Sequence, residues 1–116
     1  MRRLLASSAT LLLALSLGAC GGGGTKRVSI SAAMVGGAAG FEPATITVDK
    51  GEKVIFTVGN TTEKTHGFTI DGYGVRKEVP AHAAALKVEL EASKSGTYRI
   101  RCQLHPAHQT ATLVVQ

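Results

Sequence analysis

Hydrophobic and polar residues alternate along most of the chain after residue 27, where no stretch keeps the period of a helix. Alternation with a period of two is typical of a β-strand that has one face in a core and the other in water. It runs, for example, from Val54 to Val58 and from Leu86 to Leu90. We therefore predict an all-β domain over residues 28–116.

Turn-forming residues separate the alternating segments and indicate how many strands there are. Lys50-Gly51, Asp71-Gly72 and Lys94-Ser95-Gly96 are typical of turns between strands. The pattern predicts about seven short strands in a Greek-key β-sandwich. It is least informative over residues 32–42 and 74–84.

The direction of two side chains matters for function. In the strand that ends at Cys102, alternation points Ile100 and Cys102 toward the core. In the strand that begins at His66, it points His66 and Phe68 inward. If these two strands run antiparallel side by side, Cys102 and His66 lie at the same end of the sandwich.

The segment after this strand reads Cys102-Gln103-Leu104-His105-Pro106-Ala107-His108 and contains one thiol and two imidazoles. A thiolate together with imidazoles selects copper or zinc. A buried cysteine is often only a small apolar residue, and loop histidines often face solvent. For the segment to bind no metal, these separate explanations would all have to be true at once. We therefore predict a metal site formed by His66, Cys102, His105 and His108.

Zinc is a chemical alternative, because one thiolate with three imidazoles can ligate zinc tetrahedrally. Structural zinc sites more often take paired, closely spaced ligands from both segments, whereas His66 stands alone on its segment. We therefore expect one copper ion. The fourth histidine, His82, follows Pro80-Ala81 in a predicted turn, and we expect it on the surface.

Composition and charge limit the class of protein. The chain has 116 residues and a formal net charge of +5, of which Arg2 and Arg3 contribute two positive charges in an N-terminal segment. The Arg76-Lys77 cluster is small, aromatic residues make up 4% of the chain, and there is no tryptophan. One domain is expected at this length, and we expect no nucleic-acid partner.

The first 20 residues have the features of a secretion signal. Arg2 and Arg3 precede a mostly apolar, uncharged stretch from Leu4 to Ala19, which is shorter than the ~20 residues that a membrane-spanning helix needs. The following Leu17-Gly18-Ala19-Cys20 resembles the lipobox of bacterial lipoprotein signal peptides. In those proteins the cysteine is acylated and becomes the first mature residue.

This resemblance implies a signal peptide over residues 1–19 and a lipidated, glycine-rich tether over residues 20–27. The lipid on Cys20 would anchor the protein to a membrane of the bacterial cell envelope, on the periplasmic or extracytoplasmic face. The alternative is an ordinary secretory signal with a coincidental cysteine. A lipidated Cys20 cannot pair with Cys102, which would leave Cys102 a free thiol in an oxidising compartment.

Residues 41–116 resemble the cupredoxins, small Greek-key sandwiches that bind mononuclear copper. In cupredoxins a histidine on one strand, a cysteine at the end of a later strand and a histidine in the next loop hold the metal. The resemblance assigns these roles to His66, Cys102 and His105. The segments His66–Val75 and Cys102–Pro106 look most like nitrosocyanin-like cupredoxins, although those have glutamate where this chain has His66.

The chain departs from the usual cupredoxin loop, which ends with methionine as a weak axial ligand. No methionine follows Cys102, and His108 occupies the position at which short-loop cupredoxins have the axial methionine. We therefore predict that His108 is the fourth ligand and that it lowers the reduction potential, because imidazole is a stronger donor than a thioether. The alternative is an exposed His108 beside a three-ligand site.

The resemblance implies electron transfer, and thus an electron carrier rather than an enzyme. The electron would pass through His105 to a redox partner protein that binds transiently. Two other functions stay open. One is a periplasmic copper chaperone or buffer, and the other is a nitrosocyanin-like site where a small ligand such as nitric oxide binds an open copper position.

Overall fold

Nine β-strands make up the regular structure of residues 24–82 and 85–116, which are the residues that the computed structural model describes. They are β1 (Thr25–Val35), β2 (Ala38–Glu42), β3 (Thr45–Val48), β4 (Lys53–Asn60), β5 (His66–Ile70), β6 (Val75–Val79), β7 (Leu86–Glu91), β8 (Gly96–Arg101) and β9 (Ala111–Val115). Within these ranges no helix is long and apolar enough to cross a membrane. The predicted signal peptide and Cys20 lie outside the described residues.

The strands form two sheets, one in the order β2-β1-β4-β7 and the other in the order β3-β9-β8-β5-β6. β1 pairs with β4 and β3 pairs with β9 in parallel, and the other pairs are antiparallel. β1 begins inside the predicted tether, because Thr25 already pairs with Lys53 of β4. The predicted all-β sandwich is confirmed.

The described residues contain nine strands rather than about seven, and the two additional strands are β2 and β6. β2 forms a hairpin with β1 across Gly36 and Gly37, whose φ angles of 59° and 83° suit glycine. β6 lies at the edge of its sheet, where Val75 and Val79 are buried and residues 76–78 are exposed. Neither segment shows clear alternation, because β2 consists mostly of small residues and β6 has three consecutive exposed ones.

Aromatic side chains join the two sheets and pack around Phe68 of β5. Phe56 of β4 and Phe68 of β5 are fully buried, with ring centroids 5.7 Å apart. Phe41 of β2 packs edge-on against Phe68 at 6.0 Å. Burying one such side chain contributes about 1.5–3 kcal/mol, so this contact holds β5 firmly against the opposite sheet.

β5 and β8 are antiparallel neighbours, and Thr69 pairs with Arg101. This register places His66, at the start of β5, at the same end of the sheet as Cys102, which follows β8. Both side chains are buried, with 4% of His66 and 6% of Cys102 exposed. The predicted juxtaposition of the two residues is therefore confirmed.

Candidate metal centre

Three parts of the chain bring histidine and cysteine side chains to one end of the sandwich. His66 is the first residue of β5, and Cys102 directly follows β8. His105 and His108 lie in the loop before β9, where the N–H of His108 donates to the carbonyl of His105 over 3.0 Å. This hydrogen bond closes a turn around Pro106, whose fixed φ favours the second position of a turn. The two loop imidazoles therefore stand at the two ends of one turn.

The distances between the side chains fit a single metal ion. The Sγ atom of Cys102 lies 3.8 Å from Nδ1 of His66 and 3.5 Å from Nδ1 of His105. A metal bound at about 2.0 Å from nitrogen and about 2.3 Å from sulfur spans up to about 4.3 Å between them, so both sulfur–nitrogen separations fit one ion. The ligand atoms of all three residues lie within 4.8 Å of one another and form one cluster that could hold a metal ion. The donor set of one sulfur and two imidazole nitrogens suits copper or zinc.

A backbone hydrogen bond reaches the cysteine sulfur. The N–H of Gly67 donates to Sγ of Cys102 over 3.0 Å, and Cys102 has no disulfide partner among the described residues. The sulfur is therefore free to bind a metal, which a cysteine does as its thiolate.

His108 lies beside these three residues but is not part of the same close cluster. Its ring centroid is 4.7 Å from that of His66 and 4.5 Å from that of Phe41. Its Nδ1 lies 2.9 Å from the carbonyl oxygen of Gln109, which can only accept, so Nδ1 carries the proton. Its Nε2 is then an acceptor, and it is buried with no hydrogen-bond partner among the described residues.

Burial lowers the pKa of His66 below its ordinary value, and the neighbouring His108, His105 and Lys64 lower it further. Burial also lowers the pKa of His108, against the opposite effect of its hydrogen bond to Gln109. A neutral imidazole is the form that binds a metal. The surroundings therefore favour the ligating form of both histidines.

A cavity of about 640 Å³ opens beside the cluster. One wall is the β1–β2 hairpin with Met34, Ala38 and Ala39, and another includes His66, His105 and His108. The hairpin was not predicted from the sequence, although the Gly36-Gly37 pair between two short segments is a recognisable hairpin signal. The imidazole side of the cluster therefore borders this cavity.

The loop before His66 is held by a buried asparagine. The side-chain amide of Asn60 donates to the carbonyl of Lys64 over 2.8 Å and to that of Val79 over 2.9 Å. Its Oδ1 accepts from the N–H and the hydroxyl of Thr62. These bonds position the start of β5 against β6. His82, which was predicted on the surface, is exposed.

A family model described as "Cupredoxin-like domain" matches residues 7–115 of the chain. The chain belongs to the cupredoxin-like family. Cupredoxins bind copper, and in this cupredoxin His66, Cys102 and His105 lie together as a potential copper site. The narrower likeness to nitrosocyanin-like members stays a prediction.

Solved structures of other proteins have the same fold as this cupredoxin. Rusticyanin from Thiobacillus ferrooxidans aligns with a TM-score of 0.68 and 20% identity, over 81% of this chain and 79% of its own. Copper nitrite reductase from Nitrosomonas europaea aligns with a TM-score of 0.67 and 16% identity, over 79% of this chain and 41% of its own. At such identities the likeness concerns the fold alone. No curated protein matches the sequence.

Proposed function

We propose that this cupredoxin is a mononuclear copper protein that carries electrons outside the cytoplasm. The observation that carries the proposal is the convergence of Sγ of Cys102 with the Nδ1 atoms of His66 and His105. Copper, when bound, supplies one-electron chemistry by cycling between its +1 and +2 states. The cupredoxin-like family supports copper over zinc as the metal.

The ligands are held so that they need to move little when an electron arrives or leaves. His66 begins β5, and Cys102 directly follows the neighbouring strand β8, which together with β5 packs on the aromatic core. His105 is held by the turn around Pro106, whose ring fixes one backbone angle. A site that keeps its ligands in place in both oxidation states transfers electrons with a small reorganisation.

His108 is proposed as the fourth ligand, through its Nε2 atom. Leaving a buried nitrogen without a partner costs free energy, and a metal bond would remove that cost. Small movements of the loop would bring Nε2 to the ion, since the ring already lies beside that of His66. His108 also forms part of the wall of the cavity beside the imidazoles.

A redox partner is proposed to dock transiently over the half-buried His105. Two large apolar side chains stand exposed at this end of the molecule, with 40% of Leu104 and 61% of Met34 accessible. Met34 and His105 line the same cavity. An apolar surface of this kind suits a small, short-lived contact between redox proteins.

Attachment to a bacterial membrane is proposed on the sequence alone. The lipobox-like Leu17-Gly18-Ala19-Cys20 supports a lipid on Cys20, and the glycines that follow would serve as a flexible tether. Cupredoxins typically work outside the cytoplasm, which agrees with this placement.

A small-ligand site is a second candidate function, and the cavity beside the imidazoles favours it. If His108 does not bind copper, a small molecule such as nitric oxide could reach the metal through this cavity. Azide addition separates the two functions, because a filled coordination sphere leaves the visible spectrum unchanged and an open position changes it.

Adding Cu(II) to the purified protein tests the leading proposal. We expect one equivalent to produce an intense thiolate-to-copper band and a reversible one-electron response by voltammetry. Cys102→Ser should abolish the band, because the sulfur is its source, while His82→Ala, at an exposed histidine, should leave it unchanged. A band that persists without the Cys102 sulfur would refute the assignment.

A further inference from the structure

The outer face of β5 is covered, although that face points away from the core. All five residues of β5 are buried, including Gly67 and Thr69, which point opposite to Phe68. The side chain of Gln103 lies over them. The hydroxyl of Thr69 donates to Oε1 of Gln103 over 2.7 Å, and Nε2 of Gln103 donates to the carbonyl of Lys77 over 2.8 Å.

Gln103 thereby joins three segments through its side chain. It follows Cys102 directly, Thr69 belongs to β5, and Lys77 belongs to β6, where it pairs with Phe68. The β5–β8 ladder pairs Thr69 with Arg101, and β8 ends there. Beyond that point the chain leaves the sheet, and the amide of Gln103 keeps it attached to β5.

A side chain at the position under this amide would displace the amide, although the backbone angles of Gly67 suit any residue. A Cβ atom built on Gly67 would overlap Oε1 and Cδ of Gln103 and would lie 2.8 Å from Nε2. Gly67 also donates its N–H to Sγ of Cys102 over 3.0 Å. The Gln103 amide therefore covers the same residue whose N–H reaches the cysteine sulfur.

We propose that Gln103 is a positioning residue that fixes the chain after Cys102 over Gly67 and so maintains the N–H···S hydrogen bond between the Gly67 amide and the Cys102 sulfur. This bond draws electron density from the sulfur. Hydrogen bonding around the cysteine sulfur is one of the properties that tune the reduction potential of copper–thiolate sites. The effect on copper rests on the proposed function, whereas the effect on the Gly67 amide does not.

Amide hydrogen exchange in the copper-free protein tests the positioning role. We expect Gln103→Ala to speed exchange of the Gly67 amide about tenfold or more relative to Val88 of β7, which reports on global unfolding. Gln109→Ala is the matched control, because it removes an equal amide that bonds to the carbonyl of Val35 instead. Unchanged relative exchange in Gln103→Ala, or equal acceleration in both variants, would overturn the proposal.

A double-mutant cycle tests the contact itself. Gly67→Ala displaces the Gln103 amide in the natural chain but meets no such amide in the Gln103→Ala background. We therefore expect its effect on the unfolding equilibrium constant to be at least about tenfold smaller in that background. Strictly additive effects would contradict the contact.

Voltammetry of the copper-loaded variants then measures the consequence for the metal. A weakened N–H···S bond makes the sulfur a stronger donor to Cu(II), so we expect Gln103→Ala to lower the reduction potential more than Gln109→Ala does. Equal potentials would overturn the tuning role. A natural chain that binds no copper would refute the proposed function, and the exchange and unfolding experiments would still decide the positioning role.

Discussion

His108 illustrates at the scale of one residue how a buried atom without a partner indicates a missing interaction. Its Nδ1 donates to the carbonyl of Gln109, which directs Nε2 as an acceptor into a place where no described protein atom donates to it. The ring also packs against Phe41 at 4.5 Å, so it has little freedom to turn toward solvent. These contacts favour a ligand over an exposed loop residue.

Replacing His108 by methionine should raise the reduction potential of the copper-loaded protein. A thioether favours Cu(I) relative to an imidazole, and a tenfold change in relative affinity for the two oxidation states corresponds to about 59 mV. Voltammetry and the visible spectrum of His108→Met measure this change. His82→Met provides the control at an exposed histidine, and an identical potential in both variants would exclude His108 as a ligand.

At the scale of elements, the β1–β2 hairpin and the loop before β9, which carries His105 and His108, form one connected wall. The N–H of Gln109 donates to the carbonyl of Ala39 over 2.8 Å, and its side-chain Nε2 donates to that of Val35 over 3.1 Å. The hairpin can turn at this place because Gly36 and Gly37 both adopt positive φ. The shape of the cavity beside the imidazoles therefore depends on this turn.

Gly37→Ala should destabilise the domain by about 1–2 kcal/mol, because its φ of 83° is a left-handed conformation that a Cβ disfavours. Thermal unfolding of the copper-free protein should show a Tm about 4–16 °C lower. Gly24→Ala is a suitable control, since its Cβ would make only an ordinary contact of 3.7 Å with Glu52. Equal Tm values for the two variants would contradict the strain at Gly37.

At the scale of the whole molecule, the sandwich brings imidazoles together in a cluster where burial disfavours their protonation. The ring centroids of His66 and His105 are 4.8 Å apart, and those of His66 and His108 are 4.7 Å apart. Burial and mutual repulsion lower the pKa of His66, and burial also lowers that of His108. The folded protein therefore takes up protons less readily here than the unfolded chain does.

The copper-free protein should lose stability as the pH falls through about 6.5, the ordinary pKa of histidine. The folded pKa values are lowered, so the unfolded chain binds more protons in that range, and the free energy of unfolding rises with pH. Above about pH 6.5 the neutral histidines make their full contribution to the free energy of unfolding. Urea unfolding between pH 5 and 8 measures the slope, which His82→Ala should preserve and His66→Ala should reduce. A slope that His66→Ala leaves unchanged would contradict this origin.

The alternation of hydrophobic and polar residues was sufficient to predict some features of the structure and insufficient to predict others. Alternation predicted that His66 and Cys102 point inward, because side chains on a strand change face at every residue, and burial confirms it. The same rule did not predict β6, where edge pairing leaves Arg76, Lys77 and Glu78 all exposed. Gln103 carried no recognisable signal, since a glutamine beside a cysteine has no distinctive sequence pattern.

The sequence by itself determined the all-β class, the inward direction of His66 and Cys102, and the choice of a sulfur and imidazoles as metal donors. These follow from side-chain alternation and donor chemistry, which are local. Only the tertiary structure decided the 3.5 Å and 3.8 Å separations at Cys102 and the cover of Gln103 over Gly67. It also decided the burial of Nε2 of His108, which has no partner among the described residues. These depend on the register of β5 against β8 and on how the chain leaves the sheet, and long-range packing sets both.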